Sequence, residues 1–202
     1  METLRKITED EMIALFLKGE LSSSRFKSEI NDAAEKLKID TKILSRPNLQ
    51  SNNENHQRRE LLGEFRGYGR NKELFENFPQ KLDWEIVKMN KTELSKVLYI
   101  SYSYWLELSN NSRLPSKAAE NIRKGKIVYD TPNDGFIKAA EFLRGGGSFP
   151  MMIFVTNSSR NKIVVLEGHL RLTAYNLSQE CIPKSIEAVL GVSDEIEKWD
   201  MF

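Results

Sequence analysis

Residues 164–175 read VVLEGHLRLTAY: strand-forming Val164 to Leu166 and Glu167 run directly into Gly168, and a basic helix-forming run follows with no linker. A strand that enters a glycine and leaves as a helix turns the first N–H groups of that helix outward, without intrahelical partners. Those donors, with the positive end of the helix dipole, suit an anion, most often a phosphate. Gly168 removes the Cβ that would obstruct close approach. Arg171 falls in the first turn, where its guanidinium can grip the same anion in a fork. Glu167 at the strand end and His169 beside the glycine are the candidate catalytic groups, as base or acid, and Glu167 is also the candidate metal ligand. A plainer alternative stays open, in which the arginine pairs with a neighbouring carboxylate and the corner is only a corner.

The composition is that of an ordinary globular chain, with 40% apolar and 29% charged residues over 202 positions. That length suffices for a proper core. Lys and Arg (30) nearly balance Asp and Glu (29), whereas a dedicated duplex binder carries a strong basic excess. Nucleic-acid contact would therefore need a local patch. The single Cys181 excludes an internal disulfide framework, and two histidines leave no His-cluster metal signature. METLRKITEDEM lacks the apolar core of a signal peptide, and no apolar run is long enough to span a bilayer. A cytoplasmic location is expected, with no membrane partner.

Two regions are expected, a helical one over 1–80 and an α/β one over 81–202. In the first, Thr8-Glu9-Asp10-Glu11 has capping-box spacing ahead of Met12, Ile13, Phe16 and Leu17, and Gly19 is the expected stop. A second helix is predicted to start in Ser22-Ser23-Ser24. Polar residues 45–57 read as a linker or long loop. A helix over 54–65 then meets a Gly67-Tyr68-Gly69 turn, and a short helix ends at Pro79. In the second region, Leu94 to Leu108 carry a helical apolar stripe, a helix follows Pro115, and another runs from Asp134 to Leu143 before Gly145-Gly146-Gly147. Strands are predicted over 151–155, 163–166 and 186–192, with a turn over 157–161.

Glu167-Gly168-His169-Leu170-Arg171 followed by Thr173-Ala174 resembles the Gly-x-x-Arg-x-x-Ala signature of the ParB/sulfiredoxin superfamily. From Asp134 to Val192 the expected elements also come in that family's order. The resemblance implies a small α+β, ParB/sulfiredoxin-like fold with a mixed sheet that binds a nucleotide such as ATP or CTP. Its phosphates would lie on Gly168, Leu170, Arg171 and Thr173. Family members include CTP-hydrolysing partition proteins, ATP-using sulfiredoxins, a kinase of free serine and nuclease-like forms. Here His169-Leu170 replaces the Cys-His of the sulfiredoxins, which removes cysteine-sulfinate reduction. The helix-turn-helix reader of the partition proteins does not follow the last predicted strand.

Three further candidates stand beside the corner. Gly146, Gly147 and Ser148 could approach a nucleotide through free amides, or could simply cap the preceding helix. Arg113 resembles the upstream arginine that closes over the nucleotide in ParB-like proteins, or is a surface arginine. From His56 to Lys72 five Lys/Arg stand against two Glu, so Arg58, Arg59, Arg66, Tyr68 and Arg70 could track DNA or RNA, unless they form a solvated helix face. Tyr99, Tyr102, Tyr104 and Trp105 read as core packing at helical spacing beside Leu98 and Leu108. The expectation is a nucleotide-binding protein acting on a phosphoryl group or phosphodiester, as a nucleotidase, kinase or nuclease-like enzyme, with Mg²⁺ as the fitting ion. A nucleic-acid-binding or regulatory module without catalysis is the alternative.

Overall fold

A computed structural model describes residues 1–21 and 26–202. The predicted helix start at Ser22-Ser23-Ser24 lies outside the described residues. The fold is α+β, built on a five-stranded mixed sheet. In chain order the elements are β1 (Glu2–Ile7), α1 (Glu9–Leu21), α2 (Lys27–Lys36), α3 (Lys42–Ser45), α4 (Asn52–Arg66), β2 (Asp83–Asn90), α5 (Lys91–Leu94) and α6 (Ser103–Leu108). They continue as α7 (Pro115–Arg123), α8 (Asp134–Arg144), β3 (Ile153–Thr156), β4 (Ile163–Glu167), α9 (His169–Leu177) and β5 (Ser185–Val192). Among the described residues no helix is long and apolar enough to cross a membrane.

The sheet order is β1-β2-β5-β3-β4. β3 runs parallel to β5, while the β1–β2, β2–β5 and β3–β4 pairs are antiparallel. One row of paired residues runs across the whole sheet, through Arg5, Ile86, Val189, Ile153 and Glu167. The three predicted strands correspond to β3, β4 and β5. β1 and β2 are strands that the sequence reading lacked, and β1 corrects the expectation of an all-helical segment over 1–80. β1 is an exposed edge with no buried face. Its pairing sets Glu2 opposite Lys88, Lys6 opposite Glu85 and Ile7 opposite Trp84, so opposite charges and one apolar pair specify its partner, and its own charges discourage pairing with another chain.

The stripe from Leu94 to Leu108 is not one helix. Asn90 and Glu93 form a capping box that starts the single turn α5. The chain then extends so that Leu98 N–H donates to Ile163 O at 2.8 Å and Val165 N–H donates to Leu98 O at 2.9 Å. These bonds cover the outer edge of β4, and α6 begins only at Ser103. α7 starts on Pro115 as read, with proline at the position where its missing N–H costs nothing. α8 and α7 both pack against α9, and α1 and α2 pack on α4.

One apolar core runs through both expected regions, from Met12 and Leu61 to Val165 and Trp199. Trp199 is a clear tie: its ring meets Phe78 edge-on at 5.1 Å and its indole N–H donates to Leu74 O at 2.9 Å. Trp199→Ala should therefore cost about 3–5 kcal/mol. Urea unfolding followed by near- and far-ultraviolet circular dichroism should still show one coincident transition. Two separated transitions would mean that 1–80 and 81–202 fold independently.

Candidate functional site

The buried face of β4 delivers the chain to Gly168, whose φ of 105° is left-handed and which forms the N-cap of α9. A Cβ at this position would stand 2.6 Å from Met152 Cγ. Conformation and space both require glycine here. Gly168 has no side chain to cap the first turn of α9, so the N–H groups after it have no intrahelical acceptors, while the Gly168 N–H itself donates to the Glu167 carboxylate. Leu170, on this turn, is 39% exposed.

Arg171 does not project toward an incoming ligand. Its guanidinium turns inward, donating to Pro150 O at 3.1 Å and Met151 O at 2.8 Å, and through its other terminal nitrogen to both Glu167 carboxylate oxygens. It is 8% exposed. The plainer alternative, an arginine paired with a neighbouring carboxylate, describes this contact. Glu167 is correspondingly engaged by Arg171 rather than presented as a free base or metal ligand. Among the described residues no group of three or more His, Cys, Asp or Glu could hold a metal ion.

His169 lies flat against Trp105 at 5.0 Å between centroids and near Tyr99 at 6.1 Å, while Tyr99 and Trp105 stack at 4.5 Å. This layer is packing, as expected for Tyr99 and Trp105, and it fixes the ring that was the second catalytic candidate; Tyr102, expected in the same core, is instead 49% exposed just ahead of α6. Thr173 is fully buried; its hydroxyl lies 2.7 Å from Tyr99 Oη and also donates to His169 O at 2.7 Å. It braces the helix and offers nothing to a ligand.

Two other candidates have structural duties. Gly146 N–H donates to Leu143 O and Gly147 N–H to Phe142 O, at 3.0 and 2.9 Å, so these amides close α8 rather than awaiting a nucleotide. Ser148 is exposed beyond them. Arg113 donates to Tyr99 O at 2.7 Å, Phe202 O at 2.7 Å and Met201 O at 3.0 Å. It ties down the last residues instead of closing over a ligand.

The basic stretch is likewise satisfied from within. Arg58 is fully buried and bonded to Asn55, Glu54, Ile43 O and Asn48 O. Arg59 pairs with Asp10 at 2.7 Å, and Arg70 with Glu60 at 3.0 Å and Glu64 at 2.6 Å. Tyr68 is buried, and its hydroxyl donates to Glu9 at 2.6 Å. A carboxylate pairs with each exposed arginine of the set, so the stretch carries less uncompensated positive charge than its composition suggests.

Arg66 leads to the part that sequence reasoning missed. α1 does not stop at Gly19 but continues to Leu21. Gly19 instead permits close approach: a Cβ there would lie 3.4 Å from an Arg171 terminal nitrogen and 3.8 Å from Glu167 Oε2. The last turn of α1 thus covers the ion pair of the corner. Beside it Glu20 is 3% exposed; Oε1 accepts from Arg66 at 3.2 Å, and Oε2 has no hydrogen-bond partner. The Arg66 guanidinium lies 4.0 Å over Phe26 and 4.7 Å over Phe65. Two carboxyls and two guanidiniums from α1, α4, β4 and α9 therefore meet in one buried cluster. A usable signal existed: Glu20 stands four residues after Phe16 and three after Leu17, on the apolar stripe of α1, where a carboxyl must be buried.

Burial pushes the Glu20 carboxyl up to about 7; Arg66 pulls against the rise, Glu167 adds to it and Arg171 opposes it. Burial also raises Glu167, against the pull of Arg171 and Arg66.

Comparisons with family models, curated proteins and solved structures returned no match to this chain.

The Glu20 shift has a consequence for stability. Between its ordinary value of 4.5 and about 7 the folded state holds a proton that the unfolded chain has released. Stability from this group is full below that window and is lost as pH rises through it, by at most roughly 3 kcal/mol. Urea titrations over the same window should show a shallower decline for Glu20→Gln than for the parent. Parallel curves would refute the shift.

Proposed function

We propose that this chain binds the phosphate of a nucleotide at the first turn of α9. The observation that carries the proposal is the left-handed Gly168, which takes the chain straight from β4 into a helix whose N-cap has no capping side chain. Amides so placed, with the helix dipole behind them, bind an oxyanion without further help. The resemblance of Glu167 to Ala174 to the ParB/sulfiredoxin signature supports the same ligand, and the elements from α8 to β5 follow the order that it implies. Binding is favoured over phosphoryl chemistry, because the Glu167 carboxylate is paired with Arg171 and the His169 ring lies against Trp105. Arg171 contributes by holding the corner, through its two carbonyl bonds and its carboxylate, more than by reaching the ligand.

A panel of ATP, ADP, CTP, GTP, cyclic nucleotides and dinucleotides, with and without Mg²⁺, should raise the melting temperature for at least one member. Leu170→Glu should abolish that response. The side chain is exposed, and a carboxylate in the first turn favours the helix by about 0.3–1 kcal/mol while repelling a phosphate. Nucleotide binding that survives Leu170→Glu, or no response from any nucleotide, would refute the assignment.

A further inference from the structure

We infer that Arg66 and Glu20, carried on the N-terminal helices, belong to the same phosphate site, with Arg66 as the guanidinium that meets the ligand and Glu20 as its resting counter-ion. This rests on the phosphate reading of the α9 turn and extends it to a second wall.

The two arginines differ in how firmly they are committed. Arg171 is spent on two carbonyls and a carboxylate and is nearly inaccessible. Among the described residues Arg66 makes a single 3.2 Å hydrogen bond, to Glu20, and its Nε is buried without a partner. Its side chain is 23% exposed. The faces of Phe26 and Phe65 hold its plane, an arrangement that preorganises a guanidinium while leaving its donor edge available.

Glu20 supplies an independent indication. A 3% exposed carboxyl with one oxygen unpartnered is costly to maintain, and replacing an incomplete pair by apolar side chains would ordinarily be the more stable choice. A ligand that takes Arg66 from Glu20 relieves the arrangement. The ligand that fits is a tetrahedral phosphate, one edge on the α9 amides and another on the Arg66 fork. α1 brings Glu20 and the Arg171–Glu167 pair side by side, since Gly19 lies against that pair.

Inorganic phosphate and pyrophosphate, titrated calorimetrically into the full chain, test this. Arg66→Met, which keeps an apolar side chain against the two rings, should weaken pyrophosphate binding roughly tenfold or more. Arg66→Lys should recover part of it as a point charge. Glu20→Gln should tighten binding several-fold, because a competing counter-ion is gone, and this variant keeps the test informative if Arg66→Met folds poorly. Parent-like affinity in both Arg66→Met and Glu20→Gln, with Leu170→Glu still abolishing binding, would overturn this inference and leave the α9 assignment standing. Weaker binding in Glu20→Gln would likewise overturn the counter-ion role. No binding of either anion by the parent would remove both.

Discussion

The buried pair of Glu167 and Arg171 is the constraint around which the rest is arranged. Glu167 ends β4, Arg171 sits in the first turn of α9, and the guanidinium also gathers the carbonyls of Pro150 and Met151 just ahead of β3. One side chain therefore fixes the angle between a strand, the helix leaving it and the strand beside it. Taking two charges out of water costs several kcal/mol per ion, and their attraction offsets this only when the remaining donors are satisfied. The carbonyl bonds meet that condition for Arg171. Truncating either partner would leave the other charge buried and alone, so the corner is as much a specifier of geometry as a source of stability.

Glu20 and Arg66 do not meet the same condition, since one oxygen and one nitrogen have no partner. The contrast is informative because both pairs occupy one low-dielectric environment. The satisfied pair explains itself as structure. The incomplete pair, lying at the same corner, does not, and folded proteins seldom bury polar atoms without partners unless something else completes them.

Local signals carried much of the fold. Gly168 after a run of β-branched residues, Pro115 at a helix start and the glycines after Leu143 each act within a few residues, and each element lies where they placed it. What stayed hidden depends on distant partners. β1 has five exposed residues before the half-buried Ile7 and no apolar alternation, and only its partners on β2 identify it as a strand. The residues from Leu94 to Leu108 have helical spacing, yet the edge of β4 draws Leu98 into an extended bridge. In the basic stretch Glu54, Glu60 and Glu64 pair locally with Arg58 and Arg70, but the carboxylates that pair with Arg59 and Arg66, Asp10 and Glu20, are far away in sequence. At the candidate site the corner was legible and its cover was not, because Gly19 reads as a stop signal unless one knows what approaches it.

The length of α1 shows how these distant choices cooperate. Neighbouring strands lie about 4.8 Å apart, so the row from Arg5 on β1 to Glu167 on β4 crosses four spacings, about 19 Å. The ten steps of α1 from Glu9 to Gly19 rise about 1.5 Å each, or about 15 Å. A helix that leaves the β1 edge at Glu9 and brings Gly19 against the Glu167 carboxylate therefore spans most of the sheet's width. β1 contributes little burial of its own, but it determines where α1 starts and so where Glu20 arrives. Slipping β1 by one residue would set Glu2 and Lys6 opposite apolar residues of β2 in place of Lys88 and Glu85 and displace the covering turn from the corner. An exposed edge strand on one side of the sheet thus governs the chemistry of a buried cluster on the other, through the length of a single helix.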